Sequence, residues 1–174
     1  PNKYQYLISN YKNKMIYPDE ILLKTDSYID EKVFEIYDNY NLNLKKNNAV
    51  DFDDLLLHPL QIFKENSSLL EHYQKKFQYI LVDEYQDTNK PQFEFIYSLS
   101  KNNNEITVVG DDDQSIYGWR GADISNILNF SNSYKNAEII KLEQNYRSTK
   151  VILDAAYHVV SKNQNRAEKK LWTE

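Results

Sequence analysis

Residues 79–88 read Tyr-Ile-Leu-Val-Asp-Glu-Tyr-Gln-Asp-Thr. Ile80, Leu81 and Val82 form a short apolar run that ends abruptly in two acids, Asp83 and Glu84. Apolar, largely β-branched residues bounded by polar ones predict a buried strand. Carboxylates delivered at the C-terminal end of such a strand can hold magnesium and orient water beside a γ-phosphate. Two acids can also simply cap a strand as it exits to solvent. The continuing polar cluster Tyr85-Gln86-Asp87 favours the chemical reading.

Two further strands are predicted on the C-terminal side. Ile106 to Val109 runs into Gly-Asp-Asp-Asp-Gln-Ser-Ile-Tyr-Gly-Trp-Arg-Gly-Ala at 110–122, and Ile139 to Leu142 into Glu-Gln-Asn-Tyr-Arg-Ser at 143–148. Helical stretches separate the three. Thr88, Asn89, Lys90 and Pro91 read as a cap and proline start for a helix over 91–101, and a second helix is predicted over 123–130. Ser148 or Thr149 caps a last helix reaching about Ser161. Strands alternating with crossover helices imply an α/β fold with a parallel sheet. Open sheets of this type place ligands at strand ends, where all three polar clusters fall.

Residues 1–48 show no strand signal. Pro18-Asp19-Glu20 suits a first helical turn, and Ile29, Val33, Phe34, Ile36 and Tyr37 are expected on one side of a helix predicted over Ser27 to Tyr40. Lys45 to Asn48 reads as a connector. Asp51-Phe52-Asp53-Asp54 opens another helix with capping-type acids, which is the commoner meaning of such a cluster than a metal site. Pro59 marks a kink or a start, a further helix spans Leu69 to Phe77, and Asn102 to Asn104 form a turn.

Composition excludes several classes. At 174 residues the chain can bury a sizeable core. It has no cysteine, which removes disulfides, thiolate nucleophiles and cysteine-bound zinc. His58, His72 and His158 are scattered, as helix-surface residues are. No apolar run approaches the ~20 residues of a membrane span. A cytoplasmic protein is the expectation, although the chain opens on Pro1 and not on a methionine. A net charge of −5 argues against a sequence-independent DNA coat but allows a narrow groove of aromatics with few cations.

The polar clusters carry the chemistry. Gln114 can hydrogen-bond a phosphate oxygen or a water without adding charge. Tyr117, Trp119 and Arg120 around Gly118 suit stacking on unpaired bases with a cation on the backbone, although a lone tryptophan also serves to pin a loop. Arg147, just beyond a predicted strand, can counter charge on a transferring phosphoryl group, although an isolated Asn-Tyr-Arg more often caps or pairs locally, and Tyr146 can stack on a nucleobase.

Together these stretches resemble superfamily 1 DNA helicases of the UvrD/PcrA/Rep type. Residues 82–89 resemble motif II of that family, 109–122 motif III and 142–149 motif IV, and 51–56 and 169–173 also look familial. The resemblance implies a partial RecA-like P-loop NTPase core preceded by a helical segment. Residues 1–48 would end a helical insertion, 49–142 complete the first core domain and 143–174 begin the second. ATP and Mg²⁺ are the implied cofactors, with Asp83 on the metal and Glu84 as general base. Gln114 would sense the γ-phosphate, Tyr146 stack on adenine and Arg147 reach the γ-phosphate. Tyr117, Trp119 and Arg120 would contact single-stranded DNA. The implied activity is 3′→5′ translocation on single-stranded DNA and unwinding of 3′-tailed duplexes in repair or replication.

One departure stands out. The family's Gly-x-x-x-x-Gly-Lys-[Ser/Thr] loop is absent, since the only glycines are Gly110, Gly118 and Gly121. The chain is therefore expected to be an internal fragment, inactive alone. The alternatives are a subunit of an AddA/RecB-type helicase–nuclease, or a non-catalytic nucleic-acid-binding module.

Overall fold

Tyr4, Leu7, Ile8 and Tyr11 recur at helical spacing and draw α1 (Asn2–Asn13) onto the helices that follow it. The computed structural model describes residues 2–22, 28–102, 105–164 and 166–174, without the side chains of Leu22, Tyr28 and Ile29. Helix α2 (Pro18–Leu22) begins on Pro18, with Glu20 accepting the Tyr17 N–H at 2.9 Å. Helix α3 (Tyr28–Lys46) packs on both. Ile8, Ile21, Val33 and Tyr37 form their buried core. Each such side chain contributes about 2 kcal/mol of apolar burial. Helix α3 outlasts its predicted end at Tyr40 and takes in the expected connector lysines. Lys45 and Lys46 sit in its last turn, where cations favour the negative end of the macrodipole. Ser27, its predicted start, and Asn103 and Asn104 of the predicted turn lie outside the described residues.

Helix α4 (Asp54–Glu65) starts where its acids predicted. Its cap is Asp51, whose Oδ1 accepts the Asp54 N–H at 2.9 Å. The helix runs through Pro59, so the alternative of a start there is not what forms. Helix α5 (Ser67–Lys76) begins earlier than predicted because the Asn66 side chain accepts the Leu69 N–H at 3.1 Å. Strand β1 (Ile80–Val82), helix α6 (Lys90–Ser100) and strand β2 (Ile106–Val108) follow. A capping box between Asn89 and Gln92, with Pro91 behind it, starts α6. Helices α4 and α5 pack against α6, and Phe63 stacks on Phe95 at 5.8 Å.

The strands pair in parallel, Ile80 with Ile106 and Val82 with Val108. They are the only strands among the described residues, so the predicted three-stranded sheet is corrected to two. Residues 138–142 form no strand and pair with none of the described residues, with Ile139, Ile140 and Leu142 each at least 73% exposed. An apolar run becomes a strand only where a neighbour offers its hydrogen-bonding edge, and no described residue does so here. The predicted 123–130 helix forms as two short pieces, α7 (Ser125–Leu128) and α8 (Phe130–Ser133), broken at Asn129. Phe130 meets Tyr85 edge-on at 5.7 Å and stacks on Tyr134 at 4.5 Å, which anchors the break. Helix α9 (Lys150–Val160) follows the Thr149 cap position. No described helix is long and apolar enough to cross a membrane.

Candidate functional site

β1 ends at Val82 and the chain bends at once. Glu84 takes a left-handed conformation at φ 50° and leads into a tight 3-10 turn, Tyr85–Asp87. A non-glycine residue there costs roughly 1 kcal/mol, so the surrounding bonds must hold it. The Glu84 N–H donates to Asp83 Oδ1 at 2.9 Å. The backbone ladder continues past the strands, with Val109 N–H on Val82 O and Tyr85 N–H on Val109 O at 2.8 and 3.0 Å.

Gln86 is the hub of this turn. It is 1% exposed. Its Nε2 donates to Glu84 Oε2 at 2.7 Å, and its Oε1 accepts the Asp111 N–H at 3.0 Å. Ser115 Oγ donates to its carbonyl at 3.2 Å. One buried amide therefore ties the acid pair after β1 to the loop after β2. Gly110 makes the approach possible, because a Cβ there would lie 2.6 Å from Gln86 Oε1 and 2.8 Å from Ile127 Cδ1.

Asp111, Asp112 and Asp113 are not free. Arg166 grips Asp113 with two bonds, Nε to Oδ1 at 3.0 Å and a second nitrogen to Oδ2 at 2.7 Å. Lys169 Nζ reaches Asp111 at 2.7 Å, Asp113 at 3.3 Å and Asp112 more closely still. The Ala167 N–H donates to Asp112 Oδ2 at 2.8 Å. The Arg166 bonds hold the Asp113 carboxyl below the usual carboxylate range. Burial pushes Asp111 the other way, and bonds from Lys169 and Gln114 outweigh it, so that carboxyl is lowered too. Gln114 Nε2 donates to Asp111 Oδ2 at 2.8 Å.

The next turn of this loop forms one wall of a cavity of about 540 Å³. Tyr117, Trp119, Arg120 and Gly121 face Tyr6, Asn10 and Asn13 of α1 across it. Trp119 is 64% exposed, and the Arg120 guanidinium lies 4.5 Å from its ring centre. Gly121 has φ 87° and would place a Cβ 3.3 Å from Asn13, so the loop rests directly on α1. Asn13 donates to Asp53 at 3.3 Å and accepts from Asn89 at 2.6 Å, joining α1, α4 and α6 at the cavity floor. Asp87 also lines the cavity, and its Oδ1 is buried without a hydrogen-bond partner among the described residues. Asp53 and Asp87 repel phosphate, so aromatic faces and hydrogen-bond donors fit this floor better than a phosphodiester backbone.

Residues 1–135 match the model of the UvrD/REP helicase N-terminal domain. The chain belongs to the UvrD/REP helicase family. It is 50% identical over 167 residues to an ATP-dependent DNA helicase PcrA of Bacillus subtilis (strain 168), covering 96% of this chain and 23% of that relative. It is 48% identical over 168 residues to the PcrA of Leuconostoc citreum, with 97% and 22% covered. The PcrA of Staphylococcus aureus (strain COL) matches at 48% over 173 residues, with 99% and 24% covered. The chain thus spans about a quarter of the length of these relatives.

In this UvrD/REP chain, Asp83, Glu84 and Gln114 gather around Gln86 and Asp111. Tyr117, Trp119 and Arg120 gather at the cavity. Tyr146 and Arg147 stand apart from both. Tyr146 is 86% exposed, its hydroxyl donating to Gln144 Oε1 at 2.7 Å. Arg147 is exposed, and its guanidinium has no hydrogen bond or ion pair among the described residues. Asn145 Oδ1 accepts the N–H groups of Arg147 and Ser148 at 2.9 and 2.8 Å, which turns the chain toward α9.

Residue types alone did not single out Gln86, Asn13, Arg166 or Lys169. Gln86 lies within the quoted acid cluster, so its place in the motif was a usable signal. The three acids required cations nearby, but nothing local named which.

The donor set fits part of a magnesium–ATP site. Asp83 is exposed and commits only Oδ1 to the backbone. Mg²⁺ is commonly held by one or two carboxylates plus water and substrate phosphates, so one free carboxylate oxygen suits it. No group of three or more acids and histidines capable of caging a metal occurs among the described residues. The glycine-rich phosphate cradle is not in this sequence.

Proposed function

We propose that this chain is the acid-bearing and DNA-contacting portion of an ATP-dependent DNA helicase that moves 3′→5′ on single-stranded DNA and unwinds 3′-tailed duplexes in repair or replication. The observation that carries this reading is the Gln86 amide. It makes Glu84 and the Asp111–Gln114 turn one hydrogen-bonded unit, continuous with the aromatic wall of the cavity. A shift at the phosphate side then reaches the bases through four residues of the same loop.

Each side chain has a role in this reading. Bound ATP and its magnesium supply the γ-phosphoryl electrophile. Asp83 would hold the metal through the carboxylate oxygen that the Glu84 N–H leaves free. Glu84 Oε2 is occupied by Gln86, which leaves Oε1 to take the proton of the attacking water. Gln114 leaves Asp111 to reach a phosphate oxygen. Arg147 counters charge on the phosphoryl group, and its freedom from ion pairs keeps it available. Tyr146 offers an open ring face to adenine. Trp119, Tyr117 and Arg120 stack on and neutralise single-stranded DNA.

The segment assignment is part of the proposal. Residues 1–48 end a helical insertion, 49–142 complete a RecA-like first core domain, and 143–174 open the second. The sheet supports it. Parallel sheets are normally covered on both faces, yet Leu81 is 79% exposed and Val109 53%. Further polypeptide packing there fits a chain a quarter as long as its relatives.

The test is ATP turnover of the intact protein with and without single-stranded DNA. Glu84→Gln is expected to abolish turnover and spare nucleotide binding. Trp119→Ala should lower the DNA-stimulated rate more than the basal rate. The 174-residue chain alone should not hydrolyse ATP. Oligonucleotide binding without any turnover in the intact protein would favour the non-catalytic module instead.

A further inference from the structure

The cations on the acid run come from 53 to 58 residues farther along the chain. Arg166, Ala167 and Lys169 together engage all three carboxylates of Asp111–Asp113. The same segment is fastened at its other end. Trp172 N–H donates to Glu143 O at 3.0 Å, and Asn145 N–H donates to Trp172 O at 2.8 Å, a parallel bridge centred on Gln144. Lys141 Nζ adds a bond to Glu168 O at 2.6 Å. Residues 166–172 therefore form a strap from the Asp111–Gln114 turn to the backbone directly ahead of Tyr146 and Arg147.

That turn is held from within, with the Asp113 N–H on Asp111 Oδ1 at 3.0 Å and the Gln114 N–H on Asp111 O at 2.9 Å, and from outside by the strap. Gln114 is exposed, and its side chain is held by Asp111. Three adjacent carboxylates repel one another, and the two cations offset that repulsion. Arg166 supplies a planar two-bond grip that fixes orientation, whereas Lys169 is a point charge shared by all three acids.

We propose that Arg166 and Lys169 are positioning residues that hold Gln114 in register with Arg147, so that the strap couples the two groups that serve the same phosphate. This rests on the helicase reading given above. Neither cation touches nucleotide or DNA in this scheme. Their effect passes through Asp111 and Asp113.

Two measurements test it. Amide hydrogen exchange in the 174-residue chain is compared with that of Arg166→Ala/Lys169→Ala. Exchange at Asp113 and Gln114 should rise about tenfold on loss of charge-assisted bonds, with Val109 and α6 unchanged. Unaltered exchange at 111–114 overturns the proposal. If exchange rises throughout, Arg166→Lys replaces the double variant, and the same two groups of amides decide.

In the intact protein, Lys169→Met should lower the DNA-stimulated kcat about tenfold while leaving the KM for ATP nearly unchanged, and Lys169→Arg should restore most of it. An equal loss in Lys169→Arg, or no loss in Lys169→Met, overturns the proposal. Absence of DNA-stimulated turnover in the unmodified protein would instead overturn the helicase reading and leave the exchange measurement to decide the strap.

Discussion

Gly110 shows how much of the site depends on one missing methyl group. Its Cα lies where the Gln86 amide, the Tyr85 backbone nitrogen and Ile127 converge, and a Cβ would come within 3.2 Å of all three. Gln86 is buried and cannot swing aside without leaving the Asp111 N–H and the Glu84 carboxylate unpaired. Gly110→Ala should therefore destabilise the chain by about 1–3 kcal/mol, the range for overpacking and for an orphaned buried donor. Urea unfolding of the two proteins measures this, and a difference under about 0.5 kcal/mol would mean that the turn relaxes freely. Gly118 is the control, since a Cβ there meets nothing within 4 Å. The sequence showed that 110 ends a strand. It did not show that the glycine is required by a glutamine 24 residues earlier, because that contact is made only when both strand ends come together.

Among the elements, those with local instructions were legible and those with distant partners were not. Asn89, Gln92 and Pro91 encode the start of α6 within four residues, and the structure obeys them. Val33, Ile36 and Tyr37 encode a helix face. The run at 139–142 carries three apolar residues, as β1 does, yet strand formation depends on a neighbour, and here it stays unpaired. The acid triplet was legible as a cluster, but Arg166 was one among 21 lysines and arginines, and the familial look of 169–173 did not say that Lys169 meets the acids. The strap also sets a pH window. Asp111 and Asp113 have carboxyls lowered in the folded chain, so their contribution is complete above the ordinary aspartate value near ~3.9 and is lost as pH falls below it. Burial lowers the Lys169 ammonium, but bonds from Asp111 and Asp112 outweigh it and raise it overall, so its contribution is lost only above its ordinary value near ~10.4. Besides these groups, Arg166, Asp112 and the Tyr157 ring face the cluster. Protection of the Ala167 amide should hold from about pH 5 to 10 and fall on acidification. Protection that persists unchanged to pH 2 would show that the acids do not hold the strap.

Across the whole molecule, two apolar clusters meet through a charge. One lies among α1, α2 and α3, the other among α4, α5 and α6. Lys12 of α1 is 1% exposed and donates to Asp51 and Asp54 at 2.7 Å each, while the Tyr40 hydroxyl donates to Asp51 at 2.9 Å. Burial and the Asp51 bond push the Tyr40 phenol up to about 12, so it remains a donor at any ordinary pH. The cavity with its aromatic wall lies across this same junction, since Asn13 and Asp53 are the next residues along α1 and before α4. The ion triad thus ties α1 to the start of α4 beside the cavity. Lys12→Met keeps most of the stem volume and removes the cation, stranding two carboxylates in a partly buried site. The expected loss is about 3 kcal/mol in urea unfolding, the scale seen when one partner of a buried pair is removed. Charge and shape can be separated by adding Asp51→Asn and Asp54→Asn to Lys12→Met. That triple variant should recover most of the stability, because the asparagines are neutral, and the one at position 51 keeps an oxygen for the Asp54 N–H while its amide can donate to the Tyr40 hydroxyl. If the single variant is as stable as the parent, the triad is not the joint. If the triple variant is no better than the single one, the ammonium matters as a hydrogen-bond donor of fixed geometry and not as a countercharge.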